Sequence, residues 1–219
     1  MPAIIHPGAL IHYWDHLVIT LRDGPAGPET GFLSLYAITY SPSLGAGHVA
    51  IVEAPGIPDT QGDPDGPGLA LVFSDDLGLG ERQQARLLAM GDGRAALRHP
   101  PLEATFERIP YGPDGFGYRI SSAEHEIEAR WEATDPPFWV DGQGGAFHDS
   151  EDIWAMMVGT DRASLVIDGA AVPGFPFDDD VWRPKLGRSL SSAHGAFAEV
   201  RVEPLRRGRA TGSDPAGPR

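Results

Sequence analysis

The chain has no cysteine and no asparagine among its 219 residues. The first absence excludes disulfides, thiolate catalysis and any zinc site built on sulfur. The second excludes N-glycosylation. Basic residues are scarce: 17 Lys and Arg stand against 31 Asp and Glu, a formal net charge of −14. That field repels nucleic acid and anionic membranes, and the one basic cluster, Arg206, Arg207 and Arg209, is too small to line a groove. Long hydrophobic runs are missing as well. No segment approaches the roughly 20 apolar residues of a membrane span, and the opening MPAIIHPGALIHYWDHL lacks the basic start and unbroken apolar core of a signal peptide. The simplest expectation is a soluble, cytoplasmic protein with no nucleic-acid partner and no membrane span. G-x-S-x-G, Walker and dinucleotide fingerprints are absent, and LGLGER (77–82) lacks a phosphate-binding context, so no cofactor is expected.

What is present is turn chemistry. The 28 Gly and 21 Pro point to many short connections rather than long helices. Asp-Gly pairs at 23–24, 65–66, 92–93, 114–115, 141–142 and 168–169 tolerate the positive φ of tight hairpins. Between such signals lie candidate strands at 11–21, 31–40, 47–54, 68–74, 102–109, 117–122, 124–133, 152–159, 163–169 and 194–204. LGERQQARLLAM (79–90) alone has helical spacing and reads as one amphipathic helix. About ten strands with one short helix predict an all-β fold, an antiparallel barrel or sandwich. Long loops are expected at 57–67 and 173–189. Residues 1–205 form the single expected domain and 206–219 have the composition of a disordered tail.

Period-two alternation assigns side chains to faces. In EHEIEARWEA, Glu124, Glu126, Glu128, Arg130 and Glu132 take a wet face, while His125, Ile127, Ala129 and Trp131 take the inward one. In the first strand Tyr13, Asp15, Leu17, Ile19 and Leu21 form the more apolar set, opposite His12, Trp14, His16, Val18, Thr20 and Arg22. Asp15 is then a carboxylate in a mostly apolar surround: a proton donor with a raised pKa, or a structural group bonded to a backbone amide near a barrel mouth. In SSAHGAFAEVRVEP, an unbroken strand puts His194 and Glu199 on opposite sides. Glu199 then faces outward, unless Gly195 hosts a β-bulge that shifts the register.

His12 and His16 have the spacing of a helical metal pair, but on a strand four residues span ~13 Å, too far for one ion. FHDSEDIW (147–154) gathers His148, Asp149, Glu151 and Asp152, which reads either as a hard-cation site or, better, as a capped turn, since no known metal-loop spacing matches. Asp178, Asp179 and Asp180 read as a solvated loop that could also gate a cavity. No metal site is expected. Trp14, Trp131, Trp139, Trp154 and Trp182, with Phe138, Phe175 and Phe177, serve either packing or an aromatic-lined pocket able to stabilise a developing cation.

The block HEIEARWEATDPPFW, the strand ASLVIDGAAVPG and the closing SSAHGAFAEVRVEP together resemble a lipocalin-like family that includes the carotenoid 1,2-hydratases and AttH-type proteins. The resemblance covers roughly residues 102–204, and this chain is shorter than the family's two-barrel members. It implies an up-and-down β-barrel with a central apolar cavity, and a family containing cofactor-free enzymes that protonate olefins.

From residues and resemblance together, the leading expectation is a cofactor-independent lyase or isomerase, of hydratase or cyclase type. It would act on an apolar small molecule such as an isoprenoid or polyketide of secondary metabolism. Asp15 is the expected general acid, with His125 and His194 relaying or orienting the proton. Tyr13, Trp131, Trp139, Trp154, Phe177 and Trp182 are the expected substrate-binding residues. The alternative is a lipocalin-like carrier that binds an apolar ligand without chemistry; a third reading is a partner-binding domain. A second copy of the chain, as a homodimer, is an allowed partner.

Overall fold

A computed structural model describes residues 8–58, 68–112, 115–142 and 151–204. Strands β1 (Gly8–Arg22), β2 (Glu29–Ser41), β3 (Gly45–Ala54) and β4 (Leu69–Ser74) form an antiparallel meander. Helix α1 (Leu77–Ala89) follows and leads to β5 (Leu102–Gly112), which lies parallel to β4. Then come β6 (Gly115–Ser122), β7 (Glu126–Thr134), β8 (Phe138–Gly142) and β9 (Asp152–Ile167). The last stretch holds β10 (Ala170–Ala171), β11 (Asp178–Asp179), the single-turn helix α2 (Arg183–Leu186), β12 (Leu190–Ser191) and β13 (Ala193–Pro204). The order β9-β13-β1-β2-β3-β4-β5-β6-β7, with β7 pairing back onto β9, closes a nine-stranded barrel.

The barrel is all-β with one substantial helix, as expected, but it is not a pure up-and-down meander. Its β4–β5 joint is parallel, and a parallel step needs a crossover, which α1 supplies. The two strands expected at 152–159 and 163–169 are one continuous β9, and β8, unforeseen in the sequence, pairs with its first half. The expected loop at 57–67 and the tail after 205 lie mostly or wholly outside the described residues. At the β9–β10 turn, Asp168 and Gly169 both take positive φ (52° and 78°), the left-handed pair that a tight hairpin requires.

The barrel interior is packed. Leu17, Ile19 and Leu21 meet Leu33, Leu35, Phe73, Ile120, Trp131 and Ile167 there. Trp131, fully buried on β7, donates its indole N–H to the Val18 carbonyl of β1 at 2.8 Å. One ring thus reaches across the barrel, and at that level side chains fill the central space where the resemblance implied a cavity.

Two further apolar layers cover the outside. Helix α1 buries Leu79 and Leu87 against Trp14, Tyr36, Val49 and Ile51. Each leucine contributes about 1.5–3 kcal/mol on burial, which offsets the ~1 kcal/mol that each of Gly78 and Gly80 costs the helix. Gly80 is required by packing: a Cβ there would stand 2.9 Å from Pro101 Cβ. The helix starts at Asp76, whose carboxylate accepts the Leu79 amide at 3.1 Å. On the other side, Val140, Ala155, Met157, Leu190 and Ala196 pack beneath Trp182 and Leu186. Parts of β1, β9 and β13 are therefore buried on both faces, which is why β1 shows no clean alternation in sequence.

Candidate functional site

The site begins with one irregularity in β13. Phe197 pairs with Met156 and Val200 with Trp154, so two residues of β13, Ala198 and Glu199, face only Ala155. This is a β-bulge, and Ala198 carries it with φ 49°. A left-handed alanine costs roughly 1–2 kcal/mol. Asp15 on the adjoining β1 offsets that strain, its Oδ1 accepting the Ala198 amide at 2.8 Å. The bulge changes the phase of the strand. His194, Ala196, Glu199 and Arg201 all come to one outer cleft, so His194 and Glu199 share a face. Glu199 is buried (3% exposed) rather than outward-facing. The bulge does not sit at Gly195, which is needed for a different reason: a Cβ there would lie 2.7 Å from the Phe197 ring and 2.8 Å from Leu17 Cδ2.

The cleft holds about 190 Å³. Val140 of β8 and Ile153, Ala155 and Met157 of β9 make an apolar floor, Trp182 and Leu186 the far wall, and Met90, just past α1, one end. The segment expected as a loop at 173–189 forms that wall because it is clipped in place. Asp178 and Asp179 pair with Ser191 and Leu190, Asp180 accepts from Arg183 and Ser189, and Gly187 at φ 70° ends α2. Three charged groups and a histidine complete the lining: Lys185, Arg201, Glu199 and His194. Lys185 is the only lysine in the chain.

Electrostatics separate the roles of these groups. Burial opposes charge on Glu199, but the Arg201 guanidinium hydrogen-bonded to it outweighs burial and holds the carboxyl down, at about 2. Arg201 Nε donates to Glu199 Oε1 at 2.8 Å, and Arg201 Nη1 reaches Glu151 Oε2 at 3.3 Å. His12 Nε2 lies 3.5 Å from the same Glu199 oxygen, without hydrogen-bond geometry, and neither of its ring nitrogens has a hydrogen-bond partner among the described residues. The ring instead stacks on Trp14 at 3.3 Å, and burial lowers its pKa. Burial likewise pushes His16 down to about 3; its Nε2 meets Ser34 Oγ at 2.9 Å and its ring stacks on Tyr36. Both histidines are neutral at pH 7, and Glu199 and Arg201 form the charged pair.

His194 differs from them. Its Nδ1 lies 2.8 Å from the Ser191 carbonyl, an acceptor only, so the ring proton sits on Nδ1 and Nε2 carries the lone pair. Burial lowers its pKa, so the ring is neutral at pH 7. Trp182 meets it edge to face at 5.7 Å.

Of the residues expected from sequence, the cleft unites His194 and Trp182 only. Asp15 lies on the opposite face of the sheet, near Arg108 (3.9 Å) as well as the Ala198 amide. The apolar surround expected for it therefore contains a guanidinium and a backbone donor. His125 sits in the β6–β7 turn, inward as expected, with Nδ1 2.8 Å from Asp168 Oδ2 and its ring on Phe73. Trp131 is core. Trp139 and Trp154 stack on each other at 4.7 Å, Trp139 being 60% exposed. Tyr13 is exposed beside Tyr40, and Phe177 packs under the Arg22 guanidinium. Glu151 of FHDSEDIW pairs with Arg201, while His148 and Asp149 fall outside the described residues; among the described residues no three His, Asp or Glu side chains are grouped to hold a metal.

Sequence reasoning turned Glu199 outward unless Gly195 bulged and did not single out Arg201 or Lys185, and it weighed Glu151 only as part of a cation site or capped turn and His12 and His16 only as a metal pair, which it rejected. A signal for the first two exists. Inserting one residue after Phe197 sorts β13 into Gly195, Phe197, Val200 and Val202 on one side and His194, Ala196, Glu199 and Arg201 on the other, whereas unbroken alternation puts the large Phe197 among the charged Glu199, Arg201 and Glu203.

No family model matches the chain, and no curated protein does. Among solved structures, the crystal structure of acetoacetate decarboxylase from Legionella pneumophila subsp. pneumophila str. Philadelphia 1 is similar at 10% identity and a TM-score of 0.36, over 94% of this chain and 90% of that one. No helix among the described residues is long and apolar enough to cross a membrane.

Proposed function

We propose that the protein is an enzyme that binds a small, mostly apolar molecule in the cleft under α2 and moves a proton on it, with His194 Nε2 as the acceptor. The observation that carries this reading is the fixed tautomer. Ser191 holds the proton on Nδ1, and Nε2 makes no hydrogen bond to a described residue while its ring lines the cleft. When Nε2 takes a proton, the Ser191 carbonyl and the Glu199 carboxylate stabilise the imidazolium that forms. Glu199 itself is a poor proton donor, because Arg201 keeps it ionised. Trp182 and the floor of Val140, Ala155 and Met157 supply the apolar walls.

Size narrows the substrate. A cavity of about 150 Å³ holds benzene, so 190 Å³ suits one substituted ring or a skeleton of similar bulk. Within the isoprenoid and polyketide classes only the smallest members fit, and a long polyene does not. Isomerisation, hydration and elimination all need the proton transfer that this histidine offers.

The test incubates the wild type and His194→Gln with a panel of monocyclic terpenoid and phenolic compounds in D2O, followed by mass spectrometry. An isomer, a hydrated product or carbon-bound deuterium formed by the wild type alone supports the reading. Binding is read separately by acetylation of the single Lys185, which a bound molecule shields. Shielding in both proteins with every compound recovered unchanged would refute the enzyme and leave a carrier.

A further inference from the structure

A second concavity lies on the opposite side of the sheet, between the β5–β6 hairpin and β9 and β13, and holds about 410 Å³. Phe116, Phe197, Met156 and Val158 make its floor, and Tyr111, 65% exposed, forms a lip. The floor is rigid: Phe116 stacks on the buried Trp131 at 5.3 Å and meets Phe197 edge to face at 5.2 Å. One cation borders this apolar surface. Arg108 is about half exposed, and the nearest carboxylate among the described residues, Asp15 Oδ2, is 3.9 Å away, beyond hydrogen-bond distance. Asp15 has its other oxygen committed to the Ala198 amide. The guanidinium thus keeps its donors available at the edge of a preformed apolar groove.

We propose that this groove is a binding site for an amphipathic monocarboxylate, with the apolar body on Phe116 and Phe197 and the carboxylate on Arg108. A guanidinium fork matches a planar carboxylate. The net charge of −14 disfavours multiply charged anions, and a single arginine offers too few donors for a phosphate. The inference is independent of the cleft under α2, because the two sites occupy opposite faces of β9 and β13: Met156 faces this groove, and Met157 the cleft.

Those methionines supply the test. The chain has four, so methyl-13C methionine labelling of the full chain gives resolved probes of each face. Sodium decanoate and 3-phenylpropionate, the acyl and aryl forms of the ligand class, are titrated against wild type and Arg108→Gln, with 1-decanol as the uncharged counterpart. Saturable movement of the Met156 methyl by either carboxylate is expected, weakened at least about tenfold in Arg108→Gln as one charge-assisted contact is lost. The weaker 1-decanol binding should be the same in both proteins. Equal affinity of carboxylate and alcohol, or no effect of Arg108→Gln, overturns the carboxylate assignment. Absence of any Met156 shift, or movement confined to Met90 and Met157, overturns the site while leaving the cleft under α2 standing.

Discussion

Replacing Glu199 gives the sharpest check on the buried charge arrangement. Glu199 is 3% exposed and Arg201 18% exposed, so Glu199→Gln removes one partner of a buried pair and leaves the guanidinium in place. Breaking such a pair costs about 3–5 kcal/mol when the remaining charge is uncompensated. Here Glu151, 3.3 Å from Arg201, retains part of the compensation, so the lower end, about 3 kcal/mol, applies. For a chain of this length each kcal/mol lowers Tm by about 2–4 °C, and the expected drop is about 6–12 °C by circular dichroism. The pH dependence adds a second constraint. The folded carboxyl titrates at about 2 against an ordinary 4.5, so its contribution is complete above 4.5 and lost as pH falls toward 2. The difference between wild type and Glu199→Gln in urea should therefore shrink by about 2 kcal/mol from pH 7 to pH 3. Glu203→Gln, an exposed site on the same strand, is the control. A Tm drop under about 2 °C, or a difference that stays flat with pH, would show that the Glu199–Arg201 pair is not the buried, mutually dependent unit described above.

His16 should make the fold acid-sensitive above the carboxylate range. Its folded pKa of about 3 lies below the ordinary 6.5, so stability is complete above pH 6.5 and falls below it. By pH 5 wild type should lose up to about 2 kcal/mol that His16→Gln keeps, read from urea midpoints. Asp15→Ala should cost about 1.5–3 kcal/mol, because the bulge amide loses a charged acceptor, whereas Asp15→Asn keeps an acceptor and should unfold within about 1 kcal/mol of wild type; equal losses would refute the capping role. Trp131→Phe should cost about 1–3 kcal/mol by removing the indole hydrogen bond to Val18 and part of the buried ring from the core, and a neutral result by thermal unfolding would refute that contribution.

Strands were legible wherever one side chain in two met the barrel interior, as in EHEIEARWEA, where Ile127, Ala129 and Trp131 point inward as the alternation says. Legibility failed where both faces are covered. The even residues of β1 read as the less apolar set, yet His12 and Trp14 lie buried beside an α1 layer that period-two reasoning about β1 alone does not reveal. It failed again at Ala198. An alanine carries no preference for left-handed backbone, so nothing local marked the bulge, and its cause lies 183 residues away in the Asp15 carboxylate. Lys185 and Trp182 reach the cleft through a folded segment rich in Pro, Asp and Gly that reads locally as loop.

The parallel joint between β4 and β5 has a mechanical consequence. Every other wall of the cylinder is sewn by longer ladders, ten register pairs between β1 and β2 for example, while this seam is held by two, Phe73 with Leu102 and Ser74 with Glu103. Helix α1 spans it like a strap, anchored on β3 and on Pro101 at the approach to β5. A tube with one short seam under a strap is a curled sheet whose free edges have been brought together. Its circumference is least constrained at that seam, so breathing of the wall concentrates there, away from the cleft under α2 that β9 and β13 help to build.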